Sequence, residues 1–81
     1  MSENRDNEYV IRNYQSFGRA FREFRSRQGI TQAELAEITN LHRSYISTLE
    51  GGVNTEAVRR LVVLARALEL EIVVRPHQGA S

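Results

Sequence analysis

Residues 31–51 read TQAELAEITNLHRSYISTLEG, and the fold turns on this stretch. Its opening, Thr31-Gln32-Ala33-Glu34, is a capping box: the Thr31 hydroxyl accepts from the Glu34 amide while the Glu34 carboxylate reaches back to the Thr31 N–H. The box opens a short helix over residues 32–39, with Leu35, Ala36 and Ile38 as its apolar positions. Asn40 follows, one of the few non-glycine residues that tolerates the left-handed backbone a sharp turn needs, and Leu41 sits inside the turn. A further helix starts at His42 or Arg43 and runs to about Glu50, where Gly51-Gly52 stops it. Two short helices about a tight turn form a helix-turn-helix, whose second member can enter a DNA major groove.

The residues of that second helix divide by face. Ile46 and Leu49, three apart, point inward. Arg43, Ser44, Ser47 and Thr48 fall on the opposite side, short polar groups and one arginine that can bond base edges or phosphates. Any solvated helix face is polar, but such faces usually carry long Glu and Lys side chains, and residues 42–49 hold neither. The outward face therefore reads as one made for DNA.

Outward from this core, Phe17, Ala20, Phe21 and Phe24 recur at i, i+3, i+4 and i+7, a single helical stripe over residues 16–28. Ser16 reads as its N-cap and Gly29 as its stop. Arg19, Arg22 and Arg27 lie off the stripe and read as a solvated face. Beyond Gly52, Asn54 or Thr55 caps a fourth helix over residues 55–68. Its apolar set, Val58, Leu61, Val62, Leu64, Ala65 and Leu68, is wider than one stripe, so a second face must be buried somewhere. Leu70, Ile72 and Val74 then alternate with Glu71, Val73 and Arg75 up to Pro76, the pattern of a strand. A lone strand needs a hydrogen-bonding partner. The same strand of a second chain supplies one most simply, which implies a C2 homodimer; the alternative is a segment packed on its own subunit.

The domain organisation follows: a flexible or partly extended leader over residues 1–15, the DNA-binding domain over 16–69, a dimerisation strand over 70–76 and a disordered tail over 77–81. The fold class is all-α, a bundle of four to five helices with a short C-terminal strand paired across a homodimer.

At 81 residues with 41% hydrophobic and 26% charged residues, the composition is that of one small globular domain. No apolar run approaches a membrane span of about 18 residues. The polar N-terminus does not resemble a signal peptide, and the absence of cysteine removes disulfides, thiolate zinc sites and thiol nucleophiles. These features fit a cytoplasmic protein. Asp6 is the sole aspartate and His42 and His77 the sole histidines, so no metal set, phosphate loop or nucleophile–base pair is discernible. An enzyme, a metal and a cofactor are not expected. Eleven basic against ten acidic residues is only faintly basic for a nucleic-acid domain, yet every basic residue is arginine, the side chain that forks onto guanine and phosphate.

Gln32-Ala33-Glu34-Leu35-Ala36, Ser44-Tyr45-Ile46-Ser47 and Leu49-Glu50-Gly51 resemble the signature of the lambda-repressor-like (Xre-type) DNA-binding family, over residues 17–68. The ending Ala67-Leu68-Glu69-Leu70-Glu71-Ile72-Val73-Val74 resembles the HipB-type antitoxin regulators, in which a strand after the last helix completes the dimer. The resemblance implies that Arg43, Ser44 and Thr48 read bases. It implies backbone contacts for Gln32, holding a phosphate, and for His42, Tyr45, Ser47 and Arg25. It also implies an ion pair between Arg25 and Glu50 that locks the first and third helices. Tyr45 could instead belong to the core, and Glu50 could be merely solvated. Leu70, Ile72, Val73, Val74 and Val62 are the residues expected at the dimer interface.

Together these observations point to a sequence-specific transcriptional repressor, a dimer on a palindromic operator of double-stranded DNA. The resemblance adds an antitoxin role in a toxin–antitoxin operon with a HipA-like kinase toxin as partner. Two alternatives stand beside it: a stand-alone phage or restriction-type regulator, and a toxin-neutralising protein-binding module with secondary DNA binding.

Overall fold

The computed structural model describes residues 4–5, 7–52 and 56–77. Four helices and a three-stranded antiparallel sheet follow one another as β1 (Asn4–Arg5), β2 (Glu8–Ile11), α1 (Tyr14–Arg27), α2 (Gln32–Thr39), α3 (Arg43–Glu50), α4 (Glu56–Ala67) and β3 (Ile72–Val74). The sheet order is β1-β2-β3.

The sheet corrects two expectations. The strand at the C-terminal end has a partner within its own chain: Tyr9 pairs with Val74, Val10 with Val73 and Ile11 with Ile72. The premise that this strand lacks a partner, from which pairing across a homodimer was expected, therefore fails. Ile72, Val73 and Val74 are half-buried in the intrachain sheet, Val62 is half-buried, and Leu70 is exposed. Residues 7–15 are likewise no flexible leader. Val10 and Ile11 are buried, and because neighbouring strand residues face opposite ways, the sheet is covered on both sides there. The alternation in residues 70–76 signalled a strand, but nothing local in Glu8–Ile11 says that it folds back to meet one 60 residues later; only burial of Val10 and Ile11 selects that pairing.

Helix α1 begins two residues before the sequence suggests. Asn13 is its N-cap, its Oδ1 accepting from the Ser16 N–H at 3.1 Å. Ser16 is consequently inside the helix, fully buried, and its hydroxyl also donates to Asn13 Oδ1 at 3.1 Å. Gly29, at φ +73°, closes the helix where a side chain would be strained. In α2 both halves of the capping box are made, Glu34 N–H to Thr31 Oγ1 at 3.0 Å and Thr31 N–H to Glu34 Oε1 at 2.8 Å. Asn40 takes up the left-handed backbone, φ 60°, that turns the chain into α3. His42 occupies the N-cap position of α3 without a side-chain cap bond.

The cap at Asn54 or Thr55 lies outside the described residues, as do the leader's residues 1–3 and 6 and all of the tail but His77, which is exposed. After α4 the chain reverses at Glu69, φ 59°, with Leu70 N–H donating to Ala65 O at 2.8 Å. Val10, Ile11, Ala20 and Ile46 are the buried apolar residues of the described chain. Helices α2 and α4 bury none. Among the described residues no helix is long and apolar enough to cross a membrane.

Candidate nucleic-acid interface

The orientation of α3 is set from beneath by two contacts with α1. The first is a close approach of backbones. Gly18, buried within α1, lies against the end of α3, where an added Cβ would collide with the Leu49 carbonyl oxygen and stand 3.2 Å from Glu50 Cα. Sequence reading missed this residue. A glycine inside a helix costs roughly 0.5–1 kcal/mol relative to alanine, and its presence in an otherwise regular stripe was the available signal.

The second contact is a fork. Arg25 Nε donates to Glu50 Oε2 at 2.7 Å and Nη2 to Glu50 Oε1 at 2.9 Å. The third arm, Nη1, donates to the Ile30 carbonyl at 2.7 Å. Gln32 Nε2 adds a bond to Glu50 Oε1 at 3.0 Å. One guanidinium thus ties α1, the α1–α2 loop and the end of α3, while Gln32 brings in the start of α2. The side chains of Arg25 and Glu50 are only 14% and 3% exposed, and low solvent access strengthens such bidentate pairing. The Arg25 hydrogen bond is the leading cause holding the Glu50 carboxyl below its ordinary range; burial opposes it, and Gln32 and the charges of Arg25 and Arg22 assist. The same bond holds the Arg25 guanidinium above its usual value, against the opposing effect of burial. Glu50 is therefore not a solvated residue at a helix end, where its charge would oppose the dipole.

Above this support, α3 turns Ile46 inward, 4% exposed, and half-buries Leu49. Arg43, Ser44, Ser47 and Thr48 are all exposed, and so are His42 and Tyr45. Tyr45, 51% exposed, forms one side of an apolar groove between α1, α2 and α3. Gln32 departs from its expected part, since its half-buried amide is committed to Glu50 rather than directed outward. Arg19, Arg22 and Arg27 are exposed on α1; Arg27 pairs with Glu23 at 3.0 Å and lies over the Phe24 ring. The structure thus gathers Arg43, Ser44, Ser47 and Thr48 into one free surface and places Arg25 below it as support.

A turn at Asn40 between two short helices, the second exposing small polar groups, is the geometry of a helix-turn-helix. The family model described as a helix-turn-helix domain matches residues 16–78. The chain belongs to the helix-turn-helix domain family. This helix-turn-helix protein is also 35% identical over 51 residues to the control protein C.SmaI of Serratia marcescens, a match covering 63% of the chain and 61% of that relative. The chain thus spans less than two thirds of the length of the curated relative it matches. No solved structure matches it. The fold and these likenesses support a DNA-binding transcriptional regulator; the narrower HipB-type resemblance gains no support from them.

Proposed function

We propose that the protein is a stand-alone, sequence-specific transcriptional regulator of the phage or restriction type, acting as a dimer on a palindromic operator. The observation that carries this reading is the outward face of α3, where Arg43, Ser44, Ser47 and Thr48 are exposed together on a helix anchored by the Arg25–Glu50 fork. Likeness to a protein named as a control protein favours this reading over the antitoxin. The antitoxin reading and its HipA-like kinase partner leaned on the C-terminal strand, and that strand completes an intrachain sheet.

In the mechanism, α3 enters the major groove with Arg43 at its first turn. The guanidinium forks onto guanine O6 and N7, giving about 1–3 kcal/mol of discrimination, and Ser44 and Thr48 bond neighbouring base edges. His42, Tyr45 and Ser47 flank the backbone. Gln32 meets phosphate with its main-chain N–H at the start of α2, its side chain being held by Glu50. Two copies place their helices in successive grooves about 34–36 Å apart.

Selecting bound DNA from a random pool tests the reading: a palindromic consensus is expected, and recovery of no consensus refutes it. On the selected site, Arg43→Ala is expected to weaken binding roughly 5- to 150-fold and relax one base position. Unchanged affinity and unchanged preference would remove Arg43 from base reading.

A further inference from the structure

One chain leaves two apolar surfaces open. The first is a groove of about 320 Å³ between α1, α2 and α3, directly under the DNA-facing helix, lined by Phe21, Phe24, Leu35, Leu41, Tyr45 and Leu49 among others. The second is a ridge on α4. Leu61, Leu64 and Leu68 recur at helical spacing along it and are 55%, 59% and 67% exposed, with Leu70 beyond them at 62%. None of these residues lines the groove. The opposite side of α4, Val62 and Ala65, faces the sheet with Val10, Ile11 and Ile72. Pairing of β3 with β2 and donation from Arg66 Nη2 to the Arg12 carbonyl at 2.7 Å tether α4 there, with its leucine ridge turned to solvent.

We infer that two copies of this chain exchange α4, the leucine ridge of each helix seating in the groove under the DNA-facing helix of the other. This rests on the dimeric reading above and specifies how the dimer is built. Three observations select a second copy as the occupant. The chain exposes 6113 Å², against about 5,000 Å² for a compact chain of this mass. That excess is comparable to the roughly 800 Å² each partner buries in a stable interface. Its radius of gyration is likewise larger, 13.3 Å against roughly 12 Å. Charge agrees: α4 carries Arg59, Arg60 and Arg66 against Glu56 alone, whereas α2, one wall of the groove, carries Glu34 and Glu37 and no basic residue. Finally, ridge and groove belong to the same sequence, so seating one automatically seats the other, and the assembly closes with two-fold symmetry. The DNA-reading head is then complete only in the dimer.

The natural absence of cysteine makes the test direct. In a Leu35→Cys/Leu64→Cys chain under mild oxidation, a disulfide between copies is expected, giving a covalent dimer on a non-reducing gel. Mixing a Leu35→Cys copy with a size-tagged Leu64→Cys copy is expected to give chiefly the mixed dimer. Leu64→Arg, at an exposed position, is expected to halve the mass in sedimentation while keeping the helical circular dichroism. An intrachain Leu35–Leu64 disulfide, showing α4 closing on its own groove, would overturn the exchange, as would a monomeric unmodified protein. A dimer that forms without the Leu35–Leu64 bond would also overturn it, while leaving dimeric operator binding standing.

Discussion

Replacing Gly18 with alanine tests the claim that α3 is positioned by α1. In a free helix the change would stabilise by roughly 0.5–1 kcal/mol. Here the new Cβ meets backbone, the Leu49 carbonyl oxygen, with Glu50 Cα 3.2 Å away. That carbonyl cannot simply rotate aside, because it accepts the Gly52 N–H at 3.1 Å, and displacing Glu50 disturbs its fork with Arg25. Overpacking against parts that do not yield costs about 3 kcal/mol, the upper end of the usual range. Set against the helical gain, the net loss is about 2 kcal/mol. For a domain of this size that lowers Tm by about 8–16 °C, readable by circular dichroism at 222 nm. Gly51→Ala serves as the control, since Gly51 has an ordinary φ of −76° and its nearest obstacle is Ser47 O at 3.2 Å; a much smaller change is expected. A Gly18→Ala protein as stable as the parent would refute the close packing of α1 on α3.

Other outcomes follow from the same geometry. Because the Glu50 carboxyl is held below its ordinary range, its stabilisation is complete above the unfolded glutamate value, about 4.3, and is lost as pH falls through the lower folded value. Glu50→Gln should therefore flatten the acid limb of Tm measured from pH 7 to 3, and an unchanged limb would dissociate Glu50 from acid stability. Thr31→Ala removes the cap on the Glu34 amide and should cost about 0.5–2 kcal/mol in urea titration; no shift in midpoint would discount the box. Glu69→Gly relieves a left-handed non-glycine residue, φ 59°, and is expected to stabilise by about 1 kcal/mol, whereas a fall in Tm would show that the Glu69 side chain outweighs the strain.

The sequence by itself determined what local chemistry controls. Thr31 and Glu34 bond groups three residues apart, Asn40 meets a requirement of its own backbone, and the spacing of Ile46 and Leu49 fixes which way Arg43, Ser44, Ser47 and Thr48 face. Helix α1 was legible from its aromatic stripe, although Asn13, not Ser16, caps it, because burial of Ser16 is a property of the packed sheet and helix. Tertiary structure alone decided what depends on distant partners. The Glu8–Ile11 segment becomes a strand only because Ile72–Val74 lies beside it, and β3 loses its need for a second chain for the same reason. Gln32 is drawn to Glu50 by a lone pair that sequence spacing does not reveal. The width of the apolar surface on α4 was visible in the residues, but which half meets the sheet and which remains open is set by the tether at Arg66 and β3, a constraint acting across more than fifty residues.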